Sequence, residues 1–300
     1  MGLYVTRSVK LRKSTKKPQA PLLPGDVALL RQLEDEKKRR KEAPEKLKNL
    51  GKAPIPWQVS TDTDLGVVMK SILSRQWVEL EEKTIHHELY AMVHTFRASL
   101  PPLLLVSQIY GVFPHSSTYI DREINKERKA GRVRLLTVNQ GDSNDLLIDS
   151  AAFYAAMGEG RHINKLKAML QNAPEATWLG INALRNAGLT DQEVSQLVQE
   201  GHLSIDPGNH QVRYIMTPMQ GAFLKLVTSG RTWLLKTLMA NKWKELPENN
   251  IQEKLDSSKG YWRNLKGLSL EYILFDAVGS GWIDGFNTPI GRGWKVLRTR

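Results

Sequence analysis

The stretch GLTDQEVSQLVQEGHLSI, residues 188–205, contains one complete unit in which a helix leads into a strand. Thr190 and Glu193 match the capping-box pattern, which predicts that a helix begins at this point. From Val194 onward, apolar residues recur at helical spacing. Gly201 can adopt the left-handed conformation that ends many helices, and the apolar positions after it alternate as they do in a strand.

Two other stretches repeat this pattern, one beginning at Ser116 and one at Gly267. The three helix-ending glycines are Gly131, Gly201 and Gly281, which are 70 and 80 residues apart. Helical patterns also precede each copy. Two helices, a capped third helix and a β-hairpin form the winged variant of the helix-turn-helix, whose third helix usually reads the DNA groove. The sequence therefore predicts an α+β, mainly helical fold with three tandem winged-helix domains.

The repeats also predict the domain boundaries. We place the first winged helix at residues 59–158, the second at 159–218 and the third at 219–300. Residues 1–58 carry charge clusters, six prolines and few aromatic residues, a composition that does not support a packed core. We therefore expect a disordered, basic N-terminal tail.

Two short motifs lie in this tail. The cluster KKRRK is a nuclear-import signal, a non-specific phosphate contact or a solvated face. It consists of Lys37, Lys38, Arg39, Arg40 and Lys41. The opening MGLYVT places Gly2 and Thr6 as the N-myristoylation pattern requires, which keeps lipid anchoring as a minor alternative.

The composition excludes several classes of site. The chain has 300 residues and no cysteine, which excludes disulfides and thiolate metal sites. Its seven histidines are scattered, so no metal site is predicted. The chain has no run of about 18 apolar residues, so no membrane span is predicted. It also does not open with an apolar signal region. We expect no metal, no cofactor and no membrane partner.

The net charge of +12 is unevenly distributed. Residues 1–60 contribute +9, residues 61–220 contribute −3 and residues 221–300 contribute +6. A solvated cationic tail explains the first excess, but it does not explain the excess in the C-terminal third. The asymmetry therefore favours a polyanionic partner.

The third helix of each unit, the reading helix, differs in charge between the three copies. The first is basic, and its candidate phosphate contacts are Arg122, Lys126, Lys129 and, on the following strand, Arg132. The second carries Asp191, Glu193 and Glu200, so we expect it to repel phosphate and to act as a spacer or a protein contact. The third carries Glu271 and Asp276 in an otherwise apolar helix, which is typical of a core helix.

The positive charge of the third unit lies outside its reading helix. Lys225 and Lys236 are eleven residues apart, so an unbroken helix places both on one face, although Gly230 lies between them. The candidate nucleic-acid contacts in this unit are Lys225, Arg231, Lys236, Lys242, Lys244, Lys259, Arg263 and Lys266. Phosphate contacts from such a set predict salt-sensitive binding with little sequence preference.

Several stretches resemble the serine/threonine-protein kinase nineteen family, in a fungal-type form. They are LPPLLLVSQIYGVFP from Leu100, AGRVRLL from Ala130, the opening GLTDQEVSQLVQEGHLSI, SGRTWLLKTLMANKWKEL from Ser229 and GLSLEYILFDAVG from Gly267. The resemblance covers roughly residues 100–300 and includes all three units in order.

This resemblance implies three winged-helix domains that bind double-stranded DNA, and also RNA, in the nucleus. It further implies a link to chromatin and transcription-coupled DNA repair with proteins around stalled RNA polymerase II, and a homodimer. Lys225, Arg231 and Lys266 match basic positions of the family. Met239 stands where a basic residue is expected, with Lys236 or Lys242 as its substitute.

The family name suggests a kinase, but the sequence does not support one. Neither HRD nor DFG occurs, and the glycines at 279, 281 and 285 lack the spacing of a kinase phosphate loop. We therefore predict a non-enzymatic DNA-binding protein with no catalytic residue. A protein–protein scaffold is the alternative, and a kinase is a weaker one.

Overall fold

A computed structural model describes residues 46–53, 57, 63–81, 85–113, 117–137 and 145–297. The two motifs of the predicted tail, residues 37–41 and the opening MGLYVT, lie outside the described residues. In the described chain, no helix is both long and apolar enough to cross a lipid bilayer.

The described chain contains eleven α-helices, nine strands and one π-helical turn. The helices are α1 Leu65–Ser74, α2 His87–Ser99, α3 Val106–Val112, α4 Ser117–Lys129, α5 Ser150–Ala156, α6 Arg161–Asn172, α7 Ile181–Asn186, α8 Asp191–Gln199, α9 Gln220–Met239, α10 Glu248–Asp256 and α11 Leu270–Gly279. The strands are β1 Leu104–Leu105, β2 Val133–Leu136, β3 Leu146–Asp149, β4 Trp178–Gly180, β5 Leu203–Ile205, β6 Val212–Ile215, β7 Glu245–Pro247, β8 Ile283–Thr288 and β9 Gly291–Val296. The π-helical turn is Tyr261–Leu265.

The strands form three antiparallel sheets with the orders β1-β3-β2, β4-β6-β5 and β7-β9-β8. Each sheet belongs to one unit in which a helix, a short strand, two helices and a hairpin follow one another. This arrangement confirms the prediction of an α+β, mainly helical chain with three tandem winged helices. The first strand of each sheet was not predicted, because two or three residues are too short to show an alternating pattern.

The local signals of the repeat adopt the expected geometry. At the start of α8, the Glu193 N–H donates to Thr190 Oγ1 at 3.2 Å, and the Thr190 N–H donates to Glu193 Oε2 at 2.8 Å. Gly131, Gly201 and Gly281 have φ values of 69°, 81° and 69°, so each reading helix ends at a left-handed glycine.

The first and third winged helices pack together where α3 crosses α11. A Cβ atom added to Gly279 would lie 1.6 Å from the Ser107 carbonyl oxygen, and one added to Gly111 would lie 2.3 Å from the Phe275 carbonyl oxygen. The backbones can approach this closely only because both positions are glycine. Most of α11, from Leu270 to Ala277, is buried as a result. The prediction that the third reading helix is a core helix is therefore confirmed.

Residues 46–53, the N-terminal strap, lie along the outer edge of β8. The Leu50 N–H donates to the Asn287 carbonyl at 2.9 Å, and the Asn287 N–H donates to the Gly51 carbonyl at 2.9 Å. Trp57 is buried, with its ring stacked on Trp294 and edge-on to Phe275. The expectation of an unpacked tail through residue 58 is wrong for these residues, because backbone pairing and one indole attach them to the third domain.

The glycine crossing gives a stability prediction. We expect Gly279→Ala to lower the free energy of unfolding by about 3 kcal/mol, the upper end of the usual range for overpacking, because the new methyl group meets backbone atoms. Chemical denaturation measures this change. Gly221→Ala is the matched control, and we expect no loss, since among the described residues no atom beyond its chain neighbours and its own helix backbone lies within 4 Å of the added Cβ. Equal stability of Gly279→Ala and the wild type would contradict this packing.

Candidate nucleic-acid interface

Four of the predicted cations meet in one groove between α9 and the π-helical turn. The groove has a volume of about 750 Å³ and is bordered by Phe96 from α2 of the first domain. The basic groove, as we define it, is lined by Lys225, Lys236, Arg263 and Lys266 together with Phe96. Among the described residues that line it, none is Asp or Glu.

Lys225 and Lys236 share a face because α9 continues without a break through Gly230. A Cβ atom at Gly230 would lie 3.1 Å from Ile273 Cγ1 and 3.2 Å from Leu268 Cδ2. This glycine therefore allows α9 to pack closely on α11 and does not interrupt the helix. Thr232 lies between the two lysines on the groove-facing side of α9.

Arg97 of α2 fixes the far wall of the groove. Its guanidinium donates to the Lys266 carbonyl at 2.9 and 2.7 Å and to the Gly267 carbonyl at 3.2 Å. The same group lies over the rings of Trp77 and Trp262, 4.7 and 5.7 Å from their centroids. Lys266 is held in the left-handed conformation at φ 54°. This role of Arg97 was not predictable from the sequence, because Arg97 and Lys266 are 169 residues apart in the chain.

Lys266 reaches across the groove towards the first domain. Its Nζ lies 5.5 Å from the centroid of the Phe96 ring and 3.6 Å from Met92 Sδ. Burial, followed by the charge of Arg263, lowers the pKa of Lys266. A bound anion would relieve both effects, because it would compensate the desolvated ammonium and the repulsion between the two cations.

Arg231, a predicted phosphate contact, does not face the basic groove. Its Nε and Nη2 donate to the Asp276 carboxylate at 2.7 and 2.8 Å, and its side chain is only 15% exposed. Asp276 is fully buried and also accepts from Ser107 Oγ at 2.8 Å and Ser280 Oγ at 3.3 Å. The pair connects α9 and α11 with α3 of the first domain, so Arg231 has a structural role here.

This buried pair gives a second stability prediction. We expect Arg231→Ala to reduce the free energy of unfolding by about 3–5 kcal/mol, because Asp276 would remain buried without its counter-charge. Urea titration followed by circular dichroism measures the change. The double variant Arg231→Met with Asp276→Asn should recover part of the loss. A reduction below about 1 kcal/mol would contradict the buried pairing.

The basic surface of α4 is partly neutralised by carboxylates of the same domain. Lys126 Nζ lies 3.0 Å from Glu123 Oε2, and Arg132 forms an ion pair with Glu127. The Arg132 hydrogen bonds lower the pKa of the Glu127 carboxyl. The other two candidates of this helix, Arg122 and Lys129, are exposed and form no ion pair among the described residues.

The carboxylates of α8 are also paired within their own domain. Asp191 binds Arg185 at 2.9 Å, and Glu193 binds Lys165 at 2.8 Å. Glu200, which follows the helix, lies 2.9 Å from His162. The hydrogen bond from Lys165 contributes most to lowering the pKa of Glu193 to about 2. This pairing weakens the expected repulsion of phosphate. It also weakens the electrostatic reason for assigning this helix to partner docking.

The remaining predicted cations lie around the groove. Lys259 is exposed and its neighbours Ser258 and Gly260 line the groove. Lys242 and Lys244 are exposed in the turn that follows α9. The described residues contain no group of three or more His, Asp or Glu side chains suited to holding a metal ion.

These features define a tandem winged-helix protein whose third domain presents a basic groove while its reading helix is buried. The chain belongs to the family described as inactive serine-threonine protein kinase 19, whose family model matches residues 74–217 and 208–296. The match begins well before residue 100, where the resemblance was expected to start. The N-terminal strap lies outside it.

Individual relatives are distant in sequence. The chain is 24% identical to winged helix repair factor 1 of Homo sapiens over 213 residues, which cover 68% of this chain and 80% of the human protein. It is 25% identical to the Mus musculus protein of the same name over 206 residues, covering 65% and 77% of the two chains. It is 22% identical over 253 residues to serine/threonine-protein kinase mug51 of Schizosaccharomyces pombe, covering 77% and 79%.

Proposed function

We propose that this protein is a non-enzymatic, nuclear, tandem winged-helix protein that binds duplex nucleic acid through the basic groove of its third domain. The observation that carries this proposal is the convergence of Lys225, Lys236, Arg263 and Lys266 with no carboxylate among the described lining residues. Four cations that no carboxylate of the described residues pairs with form a site of positive potential, and such a site attracts a phosphate backbone.

The other lining groups suit the same ligand. Thr228, Thr232 and Asn264 line the groove, and hydroxyl and amide groups commonly donate hydrogen bonds to phosphate oxygens. Contacts of this kind position a nucleic acid without reading its sequence. The buried α11 cannot enter a major groove, so we expect little sequence preference from the third domain. Duplex DNA is the primary ligand in this proposal, and duplex RNA shares the recognised backbone chemistry.

The relatives support a role in repair. Two of them are named winged helix repair factor 1, and we propose that this chain acts in DNA repair coupled to transcription, on chromatin and beside stalled RNA polymerase II. The family description "inactive" and the lack of HRD and DFG in the sequence support a role without kinase activity.

Binding of random-sequence duplex DNA, measured by fluorescence anisotropy at several salt concentrations, tests the proposal. Each phosphate contact removed should reduce the slope of log K against log salt by about 1. We expect Lys225→Gln with Lys236→Gln to reduce this slope by about 2 and to weaken binding at least tenfold at low salt.

The matched control is Lys70→Gln with Lys254→Gln, which removes two exposed lysines of α1 and α10 outside the groove. We expect the control to bind as the wild type does. Equal affinity and equal slope for the groove variant and the wild type would refute the assignment of the groove.

A further inference from the structure

A second cationic cluster lies beyond the end of α9 and outside the basic groove. Lys242 and Lys244 belong to the turn after the helix, and Lys46 belongs to the N-terminal strap. The Nζ atoms of Lys46 and Lys242 lie 5.7 and 5.1 Å from the centroid of the Trp243 ring. One indole, 41% exposed, therefore holds two ammonium groups from separate parts of the chain.

The three lysines of this cluster are not paired with carboxylates of the described residues. Among the described residues, no ion pair involves Lys46, Lys242 or Lys244. The buried carboxylate of Glu245 lies in the same region, where its Oε1 accepts from the Leu47 backbone N–H at 2.8 Å, and it forms no ion pair with these three lysines. Two like charges near one ring repel each other, and the cation–π attraction, about 0.5–1 kcal/mol each at exposed sites, opposes that repulsion. Two ammonium groups beside one exposed ring present donors that a bound anion can accept from.

The strap fixes the position of Lys46. The contact between Leu47 and Glu245 holds it beside the α9 turn, and the backbone hydrogen bonds to Asn287 hold the following residues on β8. Trp57, which follows the strap in the sequence, is buried in the core of the third domain. The lysine therefore belongs to a folded surface and not to a freely moving segment.

The cluster lies just beyond the C-terminal end of the helix that lines the groove. Lys225, Ser229, Thr232 and Lys236 line the groove from α9 at intervals of three or four residues. Lys225 and Lys236 are about 16 Å apart along the helix axis at a rise of 1.5 Å per residue. α9 ends three residues after Lys236, at the exposed Met239, and Lys242 and Trp243 belong to the turn that follows it. A phosphate backbone that follows the groove towards the end of α9 reaches the cluster next.

We propose that Lys46, Lys242 and Trp243 form a second phosphate contact for the same nucleic acid, in which the indole positions the two ammonium groups. This inference rests on the proposed function and extends it to the strap, which lies outside the family match. Trp243 acts through the lysines, so its substitution should weaken binding although no charge is removed.

Anisotropy titrations of duplex DNA with the full chain test this inference. We expect Lys46→Gln to reduce the salt slope by about 1, and Trp243→Leu to weaken binding several-fold with a similar decrease in slope. Trp243→Phe should restore most of the affinity, because phenylalanine also attracts cations. Lys46→Gln and Trp243→Leu combined should weaken binding little more than Trp243→Leu alone, since loss of the indole already releases the Lys46 ammonium group.

The strap supplies its own control. Lys52 is exposed and lies beside Phe286 at the other end of the strap, so Lys52→Gln should bind as the wild type does. Thermal unfolding of each variant checks that the strap stays attached.

Wild-type DNA binding by Trp243→Leu and Lys46→Gln, with weakened binding by the Lys225/Lys236 variant, would overturn this inference and leave the proposed function intact. The inference would also be overturned if Trp243→Leu and Lys46→Gln lost binding to a poly-glutamate peptide but bound DNA as the wild type does. That result would assign the cluster to an acidic protein. Unchanged DNA binding by the groove variant would instead refute the proposed function itself.

Discussion

The close crossing of α3 and α11 at Gly111 and Gly279 is the constraint on which the rest of the structure depends. It brings the backbones of the first and third domains so close that a single methyl group would collide with a carbonyl oxygen. The buried pair of Arg231 and Asp276 lies at the same junction and is bonded to Ser107 of α3. As a result, α11, the reading helix of the third domain, is buried.

Enclosing α11 changes which surface of the third domain is available to a polyanion. The exposed cations lie on α9 and on the π-helical turn, and Arg97 of the first domain holds that turn in place. Phe96, from the same helix as Arg97, borders the groove. The junction of the two domains thus both removes one binding surface and builds another, and the proposed site depends on both domains.

Much of the fold could be predicted from the sequence because its signals are local. The capping box at Thr190 and the three helix-ending glycines each act within a few residues, and the apolar character of α11 showed that it is buried. The strap, the role of Arg97 and the pairing of Arg231 with Asp276 were not predictable in this way. Each depends on partners that are distant in sequence, and an arginine that faces a buried carboxylate is indistinguishable in sequence from one that faces solvent.

The central claim is that duplex DNA lies on α9 and the π-helical turn and not on α4. Protection of lysine amines from acetylation, measured by mass spectrometry with and without duplex DNA, tests it most directly. Lys266 should be a sensitive reporter, because its lowered pKa leaves more of the reactive free amine. The account predicts strong protection of Lys225, Lys236 and Lys266 and little protection of Lys129. Protection of Lys129 with full reactivity of the three groove lysines would contradict it.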